Sequence, residues 1–467
     1  MTLSKSDFLQ YLESPMHLWA KKNNHIDKTP SAFDLHIMKQ GYEVEKLAKE
    51  YLEKFNLKPG ESLLFQKTFT DKQFVTRTDV LIYKPESDSY DLYEIKSGTK
   101  TKTENILDAT YQFLIVNKQI KIDRIYILHL NKAYVRSSEL NLEQLFIADD
   151  ITKKVHKIKA EVDLQRANAL EIISAKNPDG IQHCYKPKNC PCPQLCHPEL
   201  PDNSIYDIPR ITEKKKIQLL EQGILDIKDV PDTFKINVKQ RTIVDVAKTN
   251  EKYIDREAIK REFENFAYPS YFLDYETFIS AIPMCDGYHP QQQMVFQYSL
   301  HKMESIDGGI VHTEHLSVTK DDPSTSLVEQ LRNDIGDTGT VFVWFKPFEM
   351  TRNKELAVIH PDYADFFNDL NERIYDLGDI INNGFYLHPG FKGSWSIKNV
   401  MPVMVPELSY KEMEIGKGDE AMMAWWNLVN NDMSADEAEN TKSDLRKYCE
   451  LDTWAMVMIF KKFIDFI

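Results

Sequence analysis

At 467 residues with 42% hydrophobic side chains, the chain is long enough for two or three domains with full cores. No apolar run is long enough to span a bilayer and Met1-Thr2-Leu3-Ser4-Lys5 lacks the apolar core of a signal peptide, so a cytosolic protein with no membrane partner is expected. The net charge of −14 weighs against nucleic acid, but it is uneven: residues 1–200 carry 29 Lys+Arg against 27 Asp+Glu, and residues 201–467 carry 29 against 45.

Ser4 reads as the cap of a short helix that ends near Pro15. In residues 43–52, Val44, Leu47, Ala48, Tyr51 and Leu52 recur at helical spacing as a buried stripe; Glu45 stands beside it, four residues before Lys49. Residues 62–70 read as a strand. Residues 75–83 and 90–97 read as two more, joined through Pro85-Glu86-Ser87-Asp88-Ser89 like a hairpin. In Glu94-Ile95-Lys96 the first and third side chains share a strand face, so a paired hairpin brings Asp79 toward Glu94 with Lys96 alongside. Two carboxylates can hold a hard divalent cation, and an ammonium can position a water. That is a phosphodiester-cleaving set, with an ordinary salt bridge as the plainer alternative. Residues 103–117 read as a helix carrying Asp108, Tyr111 and Gln112, and residues 122–131 as a further strand.

Four of the six cysteines fall at Cys184, Cys190, Cys192 and Cys196. In a reducing compartment such a cluster points to metal binding more than to disulfides, although its spacing departs from the paired Cys-x-x-Cys knuckles of structural zinc sites. Residues 207–264 are charged and helix-rich, with two short helices meeting at Gly223, and read as a spacer.

Residues 271–278 form an apolar strand interrupted by Asp274-Tyr275-Glu276, whose acids share one face. Burying both without a cation is costly, so an ion is expected there. Residues 294–303, 310–318 and 341–344 read as strands. Tyr448-Cys449-Glu450-Leu451-Asp452 lies on a helix that continues to 466, with Tyr448 and Asp452 one turn apart. Cys285 and Cys449 stand alone and read as buried thiols.

These motifs carry two resemblances. Gly41-x-x-Val44-Glu45, Thr78-Asp79, Glu94-Ile95-Lys96 and Gln112, in that order, resemble the RecB-like nucleases of the PD-(D/E)XK superfamily, especially CRISPR-associated and AddB-type members with a cysteine cluster after the core. The resemblance implies Glu45, Asp79 and Glu94 as magnesium or manganese ligands, Lys96 as the catalytic lysine, and Tyr111 and Gln112 as substrate contacts. It also implies a four-iron–four-sulfur cluster. Cys184, Cys190 and Cys196 match its trailing ligands, Ser14 stands where relatives carry the leading cysteine, and Cys192 is left to supply the fourth thiolate; zinc is the alternative.

Asp274-x-Glu276 on a first strand with Tyr448-x-x-x-Asp452 on a late helix resembles the DnaQ-like DEDD exonucleases of the ribonuclease H fold. This implies Asp274, Glu276 and Asp452 as ligands of two metal ions, Tyr448 orienting the attacking water, and 3′→5′ polarity. The family's middle acid is an Asp; here Trp344-Phe345-Lys346-Pro347-Phe348-Glu349 ends in Glu349, and Asp376 is the alternative. Ser394-Trp395-Ser396-Ile397-Lys398 resembles the family's Ser-x-Lys stretch.

The whole chain resembles a bacterial family that fuses these modules. The expected architecture is α/β: a restriction-endonuclease-like domain over residues 1–204, a helical connector over 205–266, and a ribonuclease H-like domain over 267–467. The expected function is metal-dependent exonucleolytic cleavage of DNA, on single-stranded or frayed ends, in repair or defence. An RNA-processing exonuclease and a non-catalytic binder with decayed sites are the rivals. No protein partner is indicated.

Overall fold

Ser4 and Asp7 close the first helix, α1 (Lys5–Glu13), with a reciprocal capping box, and Pro15 opens α2 (Pro15–Lys22), where its missing N–H costs nothing. The helix expected from residue 43 starts eleven residues earlier, capped by Ser31 and Asp34: α3 (Ala32–Tyr51) runs straight through Gly41. An interior glycine costs about 1 kcal/mol, and burial of Val44, Ala48 and Leu52 outweighs it. The structure, a computed structural model, describes residues 1–26, 29–430 and 433–467. It divides into two units: residues 1–199 with 280–292, and residues 200–279 with 293–467.

The first unit is built on a mixed five-stranded sheet. Its strands, in spatial order, are β1 (Ser62–Phe65), β2 (Val80–Lys84), β3 (Ser89–Lys96), β4 (Ile122–Leu130) and β5 (Phe146–Asp150). Only β3 and β4 run parallel, joined through α4 (Thr103–Val116). Two expected strands are each broken in two. Residues 62–70 split at Gln66, whose φ is 47°, and residues 75–83 split at Thr78-Asp79. The breaks face one another, with Gln66 N–H donating to the Asp79 carbonyl at 3.0 Å and Thr78 N–H to that of Lys67 at 3.0 Å. Thr68–Asp71 and Phe74–Arg77 therefore leave the main sheet and pair with Leu3–Ser4 in a small one.

Strand alternation then sorts the core. Val80, Ile82, Tyr93 and Ile95 pack with Val44, Ala48 and Leu52 of α3. Leu81 and Leu92 pack with Ala109 and Phe113 of α4 and with Val155 and Val162 of α5 (Thr152–Ser174). Glu94 and Lys96, in phase with Leu92, therefore face α4. Residues 280–292 belong to this unit although they interrupt the second in sequence. Ala281 N–H donates to Gln40 Oε1 at 2.7 Å, and Arg136 Nη1 to the Pro283 carbonyl at 2.8 Å.

The second unit also has a mixed five-stranded sheet. β6 (Ser270–Ile279), β7 (Gln293–Met303) and β8 (Ile310–Leu316) form an antiparallel meander, and β9 (Val341–Val343) and β10 (Ile374–Asp376) extend it in parallel from the far edge of β6. Tyr271, Leu273 and Tyr275 pack on one side with α6 (Lys346–Ile359), through Leu356, and neighbouring helices. Phe272 packs on the other with α7 (Ile397–Met404) and the long α9 (Ala435–Ile464), which follows α8 (Gly418–Asn430). Asp274 and Glu276, in phase with Phe272, therefore face α9. The stretch expected as a connector groups with this unit around its own cluster of Ile205, Ile208, Leu219, Ile227, Val244 and Leu387. Gly223, at φ +73°, ends its first helix (Glu213–Leu220), but a 3-10 turn (Ile227–Asp229) follows before the next helix (Val238–Thr249), so the two do not meet at the glycine. The chain is thus α/β throughout, as expected. Among the described residues no helix is long and apolar enough to cross a membrane.

Candidate functional site

The pairing of Val80 with Tyr93 brings Asp79 opposite Glu94, and Asp79 Oδ2 accepts the Ile95 N–H at 2.8 Å. Glu94, 1% exposed, is held by three donors: Lys5 Nζ and Lys96 Nζ each at 2.7 Å from Oε1, and Gln112 Nε2 at 2.5 Å from Oε2. Lys96 Nζ also reaches Asp108 Oδ2 at 2.6 Å. Burial alone would raise the Glu94 carboxyl; the two ammoniums and the amide outweigh it and hold it well below the usual carboxylate range. Asp79 lacks that support. Burial, then the Glu94 charge, pushes it up to about 8, and Asp108 is pushed to about 6 by the same two causes. No ammonium touches Asp79 among the described residues, and a divalent cation beside it would offset the Glu94 charge that raises it.

The residues implied as accessory are placed as follows. Glu45 takes its i,i+4 partner Lys49 at 2.9 Å and the Gln66 amide at 2.5 Å, beside the break that carries Asp79. Gln112 and Tyr111 are fully buried, so neither presents surface to a nucleic-acid strand. Gln112 steadies Glu94, and the Tyr111 hydroxyl donates to the Leu3 carbonyl. Two members of the cluster were missed. Asp108 lies one turn before Gln112 on the same helix face, a legible spacing; Lys5 carries no motif at all.

The cysteines do converge, and all are free thiols. Ligand atoms of His17, Cys184, Cys190 and Cys196 lie within 4.8 Å of one another, and Cys192 Sγ is 3.9 Å from Cys196 Sγ. The fourth member of the tight set is His17 on α2, 3.4 Å from Cys190 Sγ, and Cys192 lies outside that set. Ser14 takes no part; it is buried, and its hydroxyl donates to the Gln182 carbonyl at 3.3 Å. Burial pushes the thiols of Cys192 and Cys196 up to about 11 and about 12. Three soft sulfurs and an imidazole so close together can bind a metal ion, which would stabilise their thiolates.

In the second unit, ligand atoms of Asp274, Glu276 and Cys449 lie within 4.8 Å of one another. A bulge in the β6–β7 pairing follows Glu276, a common means of aiming a side chain at a site. Cys449 is buried as expected but not isolated, its Sγ 3.6 Å from Asp274 Oδ2. Asp452 joins from the same helix and accepts the Tyr410 hydroxyl. Burial, then the Asp452 charge, forces Asp274 well above the carboxylate range; burial, then Asp274 and Asp452, does the same to Glu276. The Lys398 ammonium answers them: it donates to the Tyr448 hydroxyl at 3.3 Å and stands over the rings of Tyr448 and Tyr410.

The two candidates for the middle acid behave differently. Asp376 accepts three backbone N–H groups, from Phe345 (3.3 Å), Lys346 (2.8 Å) and Gly378 (3.0 Å), and so fixes the turn at Phe345 (φ 82°) that opens α6. Glu349, in the first turn of α6, is 1% exposed, and its Oε2 has no hydrogen-bond partner among the described residues. Burial, then the Asp274 charge, raises it well above its ordinary value. An orphaned buried carboxylate oxygen beside other acids fits a missing cation.

The family described as "Domain of unknown function (DUF2779)" matches residues 271–396, from β6 past β10. The chain is similar to Uncharacterized protein UU173 of Ureaplasma parvum, 29% identical over 222 residues that cover 42% of this chain and 31% of that protein. It is also similar to Uncharacterized protein MG366 of Mycoplasma genitalium, 27% identical over 206 residues covering 40% of this chain and 31% of that one. The matched stretch is thus about a third of these relatives' length. A solved structure titled "Crystal structure of SSO0001" is similar at 11% identity and a TM-score of 0.26, covering 43% of this chain and 87% of that one, too distant to carry an argument.

Proposed function

We propose that the protein is a magnesium- or manganese-dependent nuclease that hydrolyses phosphodiester bonds, in DNA by preference, with one site in each unit. The observation that carries this reading is the convergence of Asp274, Glu276 and Cys449, with Asp452 and Glu349 close enough for their charges to act on Asp274; burial and the neighbouring acids push every one of these carboxyls above its ordinary value. Bound divalent ions would stabilise the attacking and leaving oxygens of the displacement. The chain's own residues do the rest. Asp274, Glu276 and Asp452 hold the ions, Glu349 is the middle acid, and Asp376 is the positioning acid that sets the α6 turn. Tyr448, oriented by Lys398, holds the attacking water, and the resemblance to DEDD enzymes gives 3′→5′ direction. In the first unit Asp79 and Glu94 hold the ion while Lys96 bridges Glu94 and Asp108 and faces the phosphate.

The cysteine cluster is proposed to be structural. Zinc sits about 2.3 Å from each sulfur and about 2.0 Å from a nitrogen, which leaves tetrahedral ligand atoms a little under 4 Å apart. The set of His17, Cys184, Cys190 and Cys196, all within 4.8 Å, supports a single zinc ion. An iron–sulfur cluster, with one thiolate per iron, holds its ligands farther apart.

A second reading applies to the first unit alone. Two ammoniums and an amide already satisfy Glu94 without any metal, which favours a nucleic-acid-binding unit without catalysis. End-labelled single-stranded DNA and RNA, offered in parallel with Mn²⁺, test both. Cleavage that Asp274→Ala abolishes and Lys96→Ala leaves intact assigns catalysis to the second unit. Retained cleavage in the double variant refutes both sites.

A further inference from the structure

On the α9-facing side of β7 and β8, His301 and His312 lie opposite one another in register and stack at 4.5 Å between ring centroids. Across from them α9 presents Glu450, Thr453 and Trp454, one turn of helix, with Trp454 against the His301 ring. One nitrogen of each imidazole and a Glu450 carboxylate oxygen lie within 4.8 Å of one another.

The surrounding hydrogen bonds hold one nitrogen of each ring. Thr453 Oγ1 donates its only proton to the Glu450 carbonyl at 3.0 Å. The same Oγ1 lies 2.9 Å from His301 Nδ1 and 2.7 Å from the Ser299 hydroxyl. Ser299 Oγ in turn is hydrogen-bonded to His312 Nε2 at 2.9 Å. A hydroxyl thus holds one nitrogen of each ring, which leaves Nε2 of His301 and Nδ1 of His312 as the nitrogens free to ligate. His312 Nδ1 stands 3.6 Å from Glu450 Oε1, an ion pair when the ring is protonated and a pair of ligand atoms around a shared cation when it is not. Glu314, two residues from His312 on the same strand face, adds a buried Oε2 with no hydrogen-bond partner among the described residues.

We propose that His301, His312 and Glu450 hold a divalent transition-metal ion, zinc by its donor set, which ties β7 and β8 to α9. Two imidazoles and a carboxylate form a known three-ligand zinc set, with water in the fourth position. Each ring is oriented by a hydroxyl behind it, the usual support for a metal-bound histidine. Glu450 is exposed, which gives the ion a route in. The ion would fix the register of the helix that carries Tyr448 and Asp452, and the inference does not depend on those residues being catalytic.

The test counts metal on the full chain. Protein saturated with Zn²⁺, then freed of loose ion by gel filtration, is assayed by plasma mass spectrometry as wild type, His312→Gln and Glu450→Gln. Each variant is expected to carry one equivalent fewer than wild type. With Co²⁺ in place of Zn²⁺, each should lose visible d–d absorption while the thiolate charge-transfer band of the cysteine site persists. Equal metal content in wild type and variants of unchanged circular dichroism overturns the proposal and leaves an imidazolium–carboxylate pair. Should His312→Gln fail to fold, Glu450→Gln, at an exposed position, decides the matter alone.

Discussion

Asp452→Asn should make the metal-free protein more stable while removing its response to manganese. Asp452 is buried, and its carboxyl sits at about 6 against an ordinary 3.8. A folded-state value above the unfolded one means that the folded chain binds protons more tightly, so stability falls as pH rises between the two. At about 1.4 kcal/mol per pH unit, the full cost of ionising Asp452 is about 3 kcal/mol above pH 6, and roughly half of that at pH 5. Asparagine keeps the oxygen that accepts from Tyr410 and drops the charge. In EDTA the variant should therefore gain about 3 kcal/mol at pH 8 and about half as much at pH 5. A gain of that size shifts Tm by roughly 6–12 °C in a domain of this length. Excess Mn²⁺ should stabilise the second unit of wild type by about 2.7 kcal/mol at a hundredfold excess over Kd, and leave the second unit of the variant unmoved. Differential scanning calorimetry reads both effects. An Asn variant no more stable than wild type at pH 8 in EDTA, or one equally stabilised by Mn²⁺, would refute the claim that these acids await a cation.

Two further outcomes follow from the other sites. His17→Ala should lose one equivalent of zinc by mass spectrometry while Ser14→Ala and Cys192→Ser keep it, and wild type should be colourless; brown protein with iron and labile sulfide would restore the iron–sulfur alternative. Mn²⁺ affinity of the first unit, measured by calorimetry on the Asp274→Ala variant, should rise with pH by up to about tenfold per unit below 8 and level off above it, because the ion must displace the Asp79 proton; a flat profile from pH 6 to 9 would remove Asp79 from the ligand set.

Much of this architecture follows from local periodicity. The alternation in Glu94-Ile95-Lys96 and Asp274-Tyr275-Glu276, and the one-turn spacing of Tyr448 and Asp452, put those side chains on the faces they occupy, because a strand repeats every two residues and a helix every 3.6. The hairpin register that sets Asp79 against Glu94 is equally local. Where the expectation failed, the partner was distant in sequence. Lys5 reaches Glu94 across 89 residues and His17 reaches Cys190 across 173, and neither belongs to a repeating pattern that could announce the contact. Glu349 and Asp376 are both acids near strand ends, and what separates them is that the backbone amides of the Phe345 turn engage Asp376 while Glu349 Oε2 has no hydrogen-bond partner among the described residues. Residues 280–292 group with the first unit through hydrogen bonds to Gln40 and Arg136, which no hydropathy pattern encodes. Sequence by itself determined the faces, the element types and the acids at issue. Tertiary packing alone decided which distant side chains complete each cluster, because such meetings depend on how helices and loops close over the sheets rather than on any spacing along the chain.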